Sequence, residues 1–262
     1  MKRLLRGIFA LLILVPMFVV AVWSVFSNWR WPDLTPSDFS LRGYLYAFGP
    51  SGNAGPILLT SIGLSLLVTL VTLLVCFPAA RALTFYEFKG KRLIGSLVLP
   101  PAIVPVLSVA IGIHITFLKA GLAGTLLGVL LIQVVPGIPY AVRLLSDAFA
   151  VNGNRHEPQA RTLGANSLQT LWHVTLPMNA SGLVTAGSMV YIVSFSQYFI
   201  TLLIGGGKVT TFPLLMLPFV QNSDRTIASA MAVIFLVSLW LVTFLLEQFL
   251  LHYYQSSRRL TK

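Results

Sequence analysis

Charged side chains are scarce in this sequence. Only 10% of its 262 residues are Asp, Glu, Lys or Arg, whereas a soluble domain usually carries about 25%. The shortage is concentrated in stretches with no charged residue, which are residues 7–29, 43–80, 93–118, 122–142, 179–207 and 226–246. Each stretch is long enough to cross a bilayer core, which needs about 20 apolar residues in a helix. Together with a mean hydropathy of +0.84, this excludes a soluble domain.

The uncharged stretches predict an all-α polytopic membrane protein with six transmembrane helices. Helices are expected because they satisfy their own backbone hydrogen bonds inside lipid. The first apolar run resembles a signal peptide but lacks a clear cleavage site, so we predict an uncleaved helix. We place the spans, within a single domain of residues 1–262, near residues 8–27, 57–80, 93–118, 123–146, 179–204 and 226–250.

Cysteine and metal-binding patterns are lacking. Cys76 is the only cysteine, so the chain cannot form an intrachain disulfide or a cysteine cluster. No nucleophile stands in a pattern with a base, and no metal-ligand spacing relates the four histidines, which are His114, His156, His173 and His252. We therefore expect no metal site and no catalytic site in this chain.

A nucleotide-binding motif is lacking as well. A phosphate-binding loop needs G-x4-G-K-[ST]. The stretch "GGGKVT" departs from it, because Val209 follows Lys208 and Leu202 occupies the first glycine position. We interpret this stretch as a flexible loop at a helix end, and we expect neither an ATPase site nor a cofactor in the chain itself.

Acidic residues number seven against eighteen basic ones, which gives a net charge of +11. If the N-terminus faces the cytoplasm, thirteen basic residues fall in cytoplasmic segments, and five fall on the opposite face: Arg30, Arg42, Lys119, Lys208 and Arg225. By the positive-inside rule, this bias predicts that both termini are cytoplasmic. The charge is therefore interpreted as a topology signal, and no nucleic-acid partner is expected.

One polar passage stands out between two apolar stretches. "RHEPQARTLGANSLQTLWHVTLP", from Arg155 to Pro177, lies in a predicted cytoplasmic loop of residues 147–178. The pattern predicts a helix from Glu157 to Leu163 that begins near Pro158, and a bend at Gly164. A second short helix follows, with Asn166 or Ser167 as its cap. Its apolar side chains predict contact with the chain's own bundle, the lipid interface or a cytoplasmic partner; they are Leu163, Leu168, Leu171 and Trp172.

The same passage resembles the EAA loop of binding-protein-dependent ABC transporter permeases, whose pattern is E-A-A-x3-G-x9-I-x-L-P. Gly164, Val174, Leu176 and Pro177 match the spacing G-x9-[IV]-x-L-P, and "ARTLGA", from Ala160 to Ala165, is similar to common family wording. "LVLPPAIVP", with Pro100, Pro101 and Pro105, also agrees, as does the place of the loop between the fourth and fifth spans. One departure is clear: the family glutamate falls on Pro158, and Glu157 lies one residue early.

The resemblance implies a type I ABC importer permease fold in a bacterial inner membrane. It implies that the loop docks on a cytoplasmic ATPase dimer, which binds the ATP. It also implies a second permease subunit, identical or homologous, and a periplasmic or lipoprotein solute-binding protein. The predicted coupling residues are Glu157, Ala160, Leu163, Gly164, Ala165, Leu168, Leu171, Val174, Leu176 and Pro177.

Polar side chains at membrane depth allow two interpretations. Gln133 lies in the fourth predicted span, and Ser194, Gln197 and Tyr198 lie in the fifth. Such groups usually face a bundle interior or a cavity. They either bond helix to helix or line a path for solute, and both interpretations stay open.

The solute and the energy source rest on weaker patterns. "SFSQYFITLLIGGG" and "TTFPLLMLPFVQNSDRTIASAMAVIFL" resemble permeases of the polyamine, thiamine, ferric-iron, sulfate and phosphonate branch, and we favour a small polar solute such as a polyamine. Two rival interpretations are a secondary transporter driven by an ion gradient and a non-transporting membrane scaffold. The first would more typically show inverted or parallel repeats and ionisable residues within the membrane.

Overall fold

The computed structural model describes residues 2–27, 38–98, 106–222 and 224–259. The described chain is helical apart from one antiparallel pair of two-residue strands, β1 (Phe26–Ser27) and β2 (Asp38–Phe39). The helices are α1 (Lys2–Ser24), α2 (Arg42–Phe48), α3 (Ala54–Phe85), α4 (Lys91–Val98), α5 (Val106–Lys119), α6 (Leu126–Asn152), α7 (His156–Thr162), α8 (Ser167–Thr170), α9 (Leu176–Met178), α10 (Ala180–Phe195), α11 (Phe199–Gly205), α12 (Phe212–Gln221) and α13 (Arg225–Arg259). A π-helical turn, Leu171–Thr175, joins α8 to α9.

Several helices meet the length and apolar composition of a membrane span. Among the described residues these are Ala54–Phe85, Leu126–Asn152 and Arg225–Gln248, and a fourth if Ser167–Met178 and Ala180–Phe195 count as one bent span. They lie where the second, fourth, fifth and sixth spans are predicted. The count of six spans stays a prediction.

Helix breaks in the described chain do not simply follow glycine and proline. The predicted fifth span contains a break between α10 and α11, where the hydroxyl of Ser196 donates to the carbonyl of Ile192 at 2.7 Å. Thr69 and Thr72 make the same kind of bond within the unbroken α3, and no glycine or proline marks the break in the sequence. By contrast, α6 continues through Pro136 and Pro139. Pro100, Pro101 and Pro105 lie outside the described residues.

The chain forms two compact units. The first comprises Met1–Ser61 and Thr210–Trp240. Its apolar cluster joins α2, the start of α3, α12 and α13 through Ala47, Ala54, Phe212, Ile227, Met231 and Ile234. The hydroxyl of Ser61 accepts a 2.7 Å hydrogen bond from the backbone N–H of Phe212, which satisfies a buried donor at the start of α12.

The second unit comprises Ile62–Val209 and Leu241–Lys262, and α6 is its central helix. One apolar cluster includes Val68, Val129, Ile132, Ile200 and Ile204, and another includes Phe77, Leu145, Phe149, Ala186 and Val190. Helices α6 and α10 approach closely, since a Cβ atom built on Gly182 would stand 2.3 Å from the Cβ of Ala148. Small residues allow such an approach between helices in a membrane protein.

Candidate functional site

The segment from Arg155 to Pro177 has the predicted two helices separated by a turn. Gly164 ends the first helix with a φ of +90°, a conformation that favours glycine. Asn166 then forms a reciprocal capping box with Gln169: the Asn166 side chain accepts from the Gln169 N–H at 2.8 Å, and the Asn166 N–H donates to the Gln169 side chain at 2.9 Å. The sequence therefore specifies both the turn and the start of the second helix.

The second helix changes form before it reaches the apolar bundle. After α8 the backbone becomes π-helical over Leu171–Thr175 and ends in the short α9. A 74° bend at Asn179 separates this run from α10. Short π-helical insertions are rare and frequently occur at functional sites. We name residues 155–177 the elbow, because the end of this segment is bent by 74° relative to α10.

A carboxylate anchors the elbow from inside. Arg81, near the end of α3, donates from Nε to Oε1 of Glu157 at 3.1 Å and from Nη2 to Oε2 of the same residue. Thr175 Oγ1 donates to Glu157 Oε1 at 2.8 Å. The side chains of Arg81 and Glu157 are 26% and 11% exposed, so this is a largely buried, two-pronged ion pair. It joins α3, α7 and the π-helical turn.

Two asparagines extend this polar network to the bend. Asn179 Nδ2 donates to the carbonyl of Thr175 at 2.8 Å. Asn152, at the end of α6, donates from Nδ2 to Asn179 Oδ1 at 3.0 Å and to the carbonyl of Met178 at 2.9 Å. The elbow is thus bonded to three long helices of the second unit, which are α3, α6 and α10.

The elbow also exposes three large apolar side chains among polar ones. Leu163, Leu168 and Trp172 are 89%, 64% and 58% exposed. Leu171 and Leu176 instead pack against the second apolar cluster. We name the three exposed side chains the outer apolar face. Of the other predicted coupling residues, Gly164 is exposed, Glu157 is buried, and Ala160, Ala165, Val174 and Pro177 are partly buried.

A second polar cluster lies deep in the second unit. Gln133 is fully buried; its Nε2 donates to Thr201 Oγ1 at 2.8 Å, and its Oε1 accepts from Ser194 Oγ at 2.7 Å. These bonds join α6 to both α10 and α11 across the break. The structure therefore brings Gln133 and Ser194 together as a bond between helices. Gln197 and Tyr198 lie in the break itself. The Gln197 backbone carbonyl accepts from Thr201 Oγ1 at 3.1 Å, but the side chains of Gln197 and Tyr198 are not part of this cluster, and that of Tyr198 is exposed.

Sequence reasoning missed five partners in these clusters, two of which are Asn152 and Asn179. Arg81, Thr175 and Thr201 were not predicted site residues, although Arg81 carries a signal as the first charge after a long uncharged stretch. Arg143 and Asp147 are four positions apart in α6, a spacing at which an intrahelical pair is the ordinary expectation, but they are not an ion pair among the described residues. "GGGKVT" does lie at a helix end, with Gly206 in the left-handed conformation that closes α11.

The fold and the elbow define a helical membrane permease, and a family model gives its kind. The model of the binding-protein-dependent transport system inner membrane component matches residues 75–259. The chain belongs to this family: it is the permease component of an ABC importer and not itself the ATPase. Such a component works with an ATPase and a solute-binding protein.

Individual relatives agree on the class but differ in solute. A Salmonella paratyphi A protein described as "Putative 2-aminoethylphosphonate transport system permease protein" is 26% identical, over 92% of this chain and 90% of its own. A molybdate/tungstate transport system permease protein of Pyrococcus furiosus is 28% identical, over 74% and 79%. The crystal structure of a bacterial ABC transporter involved in alginate import has the same fold, with a TM-score of 0.69, 21% identity and 94% coverage of both chains.

Proposed function

We propose that this chain forms the translocation path for a small polar solute in six membrane spans, with both termini in the cytoplasm. Its elbow, residues 155–177, receives the force of a separate ATPase dimer that binds the ATP. The observation that carries the proposal is that the elbow exposes three large apolar side chains while its Glu157 and Thr175 are bonded to each other and to Arg81 of the bundle. A second permease subunit, identical or homologous, completes the path.

The outer apolar face fits a protein groove. Leucine and tryptophan side chains that remain exposed on a capped, defined helix are expected to gain free energy when a partner removes them from water. The capping box at Asn166 fixes the direction of the helix that carries Leu168 and Trp172. This arrangement supports docking on the ATPase.

The inner network gives docking a mechanical consequence. Displacement of the elbow pulls on α3 through the Arg81–Glu157 pair and on α6 and α10 through the two asparagines. Closure of an ATPase dimer would then favour one of two arrangements of the bundle, and solute binding on the opposite side would favour the other.

The solute is proposed by class. The relatives' names carry an aminophosphonate and two metal oxyanions, and the sequence predicts a polyamine-like solute; all of these are small and polar. Solute passes near the break between α10 and α11, where the side chains of Gln197 and Tyr198 lie outside the Gln133 cluster. Binding measurements on the cognate solute-binding protein identify the compound.

Two single-cysteine variants, compared with each other, test the docking surface and the topology. Leu168→Cys should crosslink to the ATPase in membranes that retain uptake. Leu41→Cys is a matched control, since Leu41 is also an exposed leucine but lies in the predicted outside loop. A membrane-impermeant maleimide applied to spheroplasts should label Leu41→Cys and leave Leu168→Cys unlabelled. The native Cys76 is buried and gives little background.

The proposal fails if Leu168→Cys is labelled from outside, or if it never crosslinks to an ATPase in active membranes. Uptake into proteoliposomes separates the rival interpretations. An ABC importer takes up solute with ATP inside and no ion gradient, a secondary transporter needs the gradient, and a scaffold shows no uptake under either condition.

A further inference from the structure

An open cleft lies in the second unit, and none of its lining residues belongs to the elbow's outer apolar face. Its volume is about 760 Å³, and it lies between the connection from α3 to α4 and the middle of α6. Leu83, Phe88, Pro139 and Val142 form apolar parts of its wall. Neither the docking surface nor the polar cluster around Gln133 includes any of these residues.

Basic side chains dominate the charge of this cleft. Lys91, Arg92 and Arg143 line it together with one carboxylate, Glu87. Glu87 is bonded to Lys91, with Nζ donating to Oε1 at 2.7 Å. Within the described part of the chain, the side chains of Arg92 and Arg143 form no ion pair or hydrogen bond. Two guanidinium groups therefore face one cavity without an anionic partner.

The sequence positions of the lining residues indicate that the cleft lies at the edge of the membrane. Uncharged stretches end at Ala80 and Val142 and begin again at Leu93, so the cleft lies where charged and apolar sequence meet. In the predicted topology this is the cytoplasmic boundary of the membrane. Basic pockets between membrane helices on that side bind anionic lipid headgroups. The apolar wall adds a surface for an acyl chain. A lipid has such a chain, whereas a soluble anion does not.

We propose that this cleft binds an anionic phospholipid of the inner leaflet. The phosphate lies between Arg92 and Arg143, and the first part of one acyl chain lies along Phe88 and Val142. The site shares no residue with the elbow or the ATPase contact; only the choice of the inner leaflet rests on the proposed topology, and lipid retention is measured without transport.

The test measures lipid retained by the purified transporter complex. The complex is placed in nanodiscs of phosphatidylcholine with a minor fraction of phosphatidylglycerol, and the retained lipids are counted by native mass spectrometry. The double variant Arg92→Gln/Arg143→Gln should retain phosphatidylglycerol about 25-fold more weakly, since each basic residue near the surface contributes about fivefold. Arg92→Lys/Arg143→Lys should retain it, because the charges remain.

Lys89→Gln is the matched control, because Lys89 is an exposed cation in the same connection but does not line the cleft. It should retain phosphatidylglycerol like the unaltered chain. Equal retention by the double glutamine variant overturns the proposal, and so does an equal loss in Lys89→Gln, which would indicate general surface charge. Displacement of the lipid by millimolar inorganic phosphate would also overturn it, in favour of a soluble anion. Monodisperse elution and an unchanged melting temperature exclude misfolding as the cause of a loss.

Discussion

Breaking the Arg81–Glu157 pair should weaken both the second unit and the transmission of force from the elbow. The two charges lie about as close as a hydrogen bond allows, with Nε and Oε1 3.1 Å apart. At an effective dielectric constant of about 20, two charges at that distance attract by roughly 5 kcal/mol. The desolvation of both groups offsets most of this attraction.

The coupling free energy between the two side chains should lie between the values typical of exposed and of fully buried ion pairs. Exposed pairs contribute about 0–1 kcal/mol, and removal of one partner from a fully buried pair costs about 3–5 kcal/mol. Arg81 and Glu157 are 26% and 11% exposed, which is nearer to the buried limit. We therefore expect a coupling free energy of about 1–3 kcal/mol.

A double-mutant cycle measures this coupling. Arg81→Gln, Glu157→Gln and the double variant are compared by reversible unfolding in mixed detergent micelles. The same cycle on Arg42 and Asp224 is a control, since that pair has a similar 3.0 Å contact but its side chains are 60% and 31% exposed. The control should couple by less than about 1 kcal/mol.

The reasoning is refuted if the Arg81 and Glu157 effects add to within about 0.5 kcal/mol. A second readout addresses transmission. Either single variant in the assembled transporter should lower the solute moved per ATP hydrolysed, whereas a purely structural pair would lower the amount of assembled protein and leave this ratio unchanged.

Four further predictions concern residues of the second unit. Gly182→Ala should destabilise the chain by about 1–3 kcal/mol through overpacking, and Ala148→Gly should restore stability, since it removes the Cβ that the new methyl group would meet at 2.3 Å; failure of the rescue contradicts the packing argument. Ser194→Ala should cost about 1–3 kcal/mol because it leaves the buried Gln133 carbonyl oxygen without its Ser194 donor, whereas Gln197→Leu should change uptake and spare stability; unchanged uptake removes Gln197 from the path. Leu168→Asp should reduce ATPase copurification and change the free energy of unfolding by less than about 0.5 kcal/mol; undiminished copurification would place docking elsewhere.

Periodicity and local chemistry made much of the fold predictable. Long uncharged runs predicted the helical membrane class. The turn at Gly164 and a cap at Asn166 or Ser167 followed from residues whose conformational preferences act over one or two turns, and the structure has Asn166 as the cap. Such signals are local, so they remain readable in a single sequence.

The partners in the site were less predictable because they are distant in the chain. Arg81 and Glu157 are 76 positions apart, and Gln133 and Thr201 are 68 positions apart. No pattern in one sequence specifies which helices become neighbours at those points. The break at Ser196 was missed for another reason, since no glycine or proline marks it in the sequence.

The glutamate of the elbow is displaced by one residue from the family pattern and belongs to the inner network. Successive residues of an α-helix are separated by about 100°, so a shift of one position moves a side chain to another face. Counting from Gly164, the family position falls on Pro158, which is exposed, whereas Glu157 is buried against Arg81. Position 158, where the family pattern has a carboxylate, is thus a proline, and the carboxylate of Glu157 is bonded to Arg81 and Thr175. In the proposed docking, the outer apolar face contacts the ATPase, and the bond from Glu157 to Arg81 joins the elbow to α3. Substitutions on the two sides of the elbow should therefore separate loss of docking from loss of transmission.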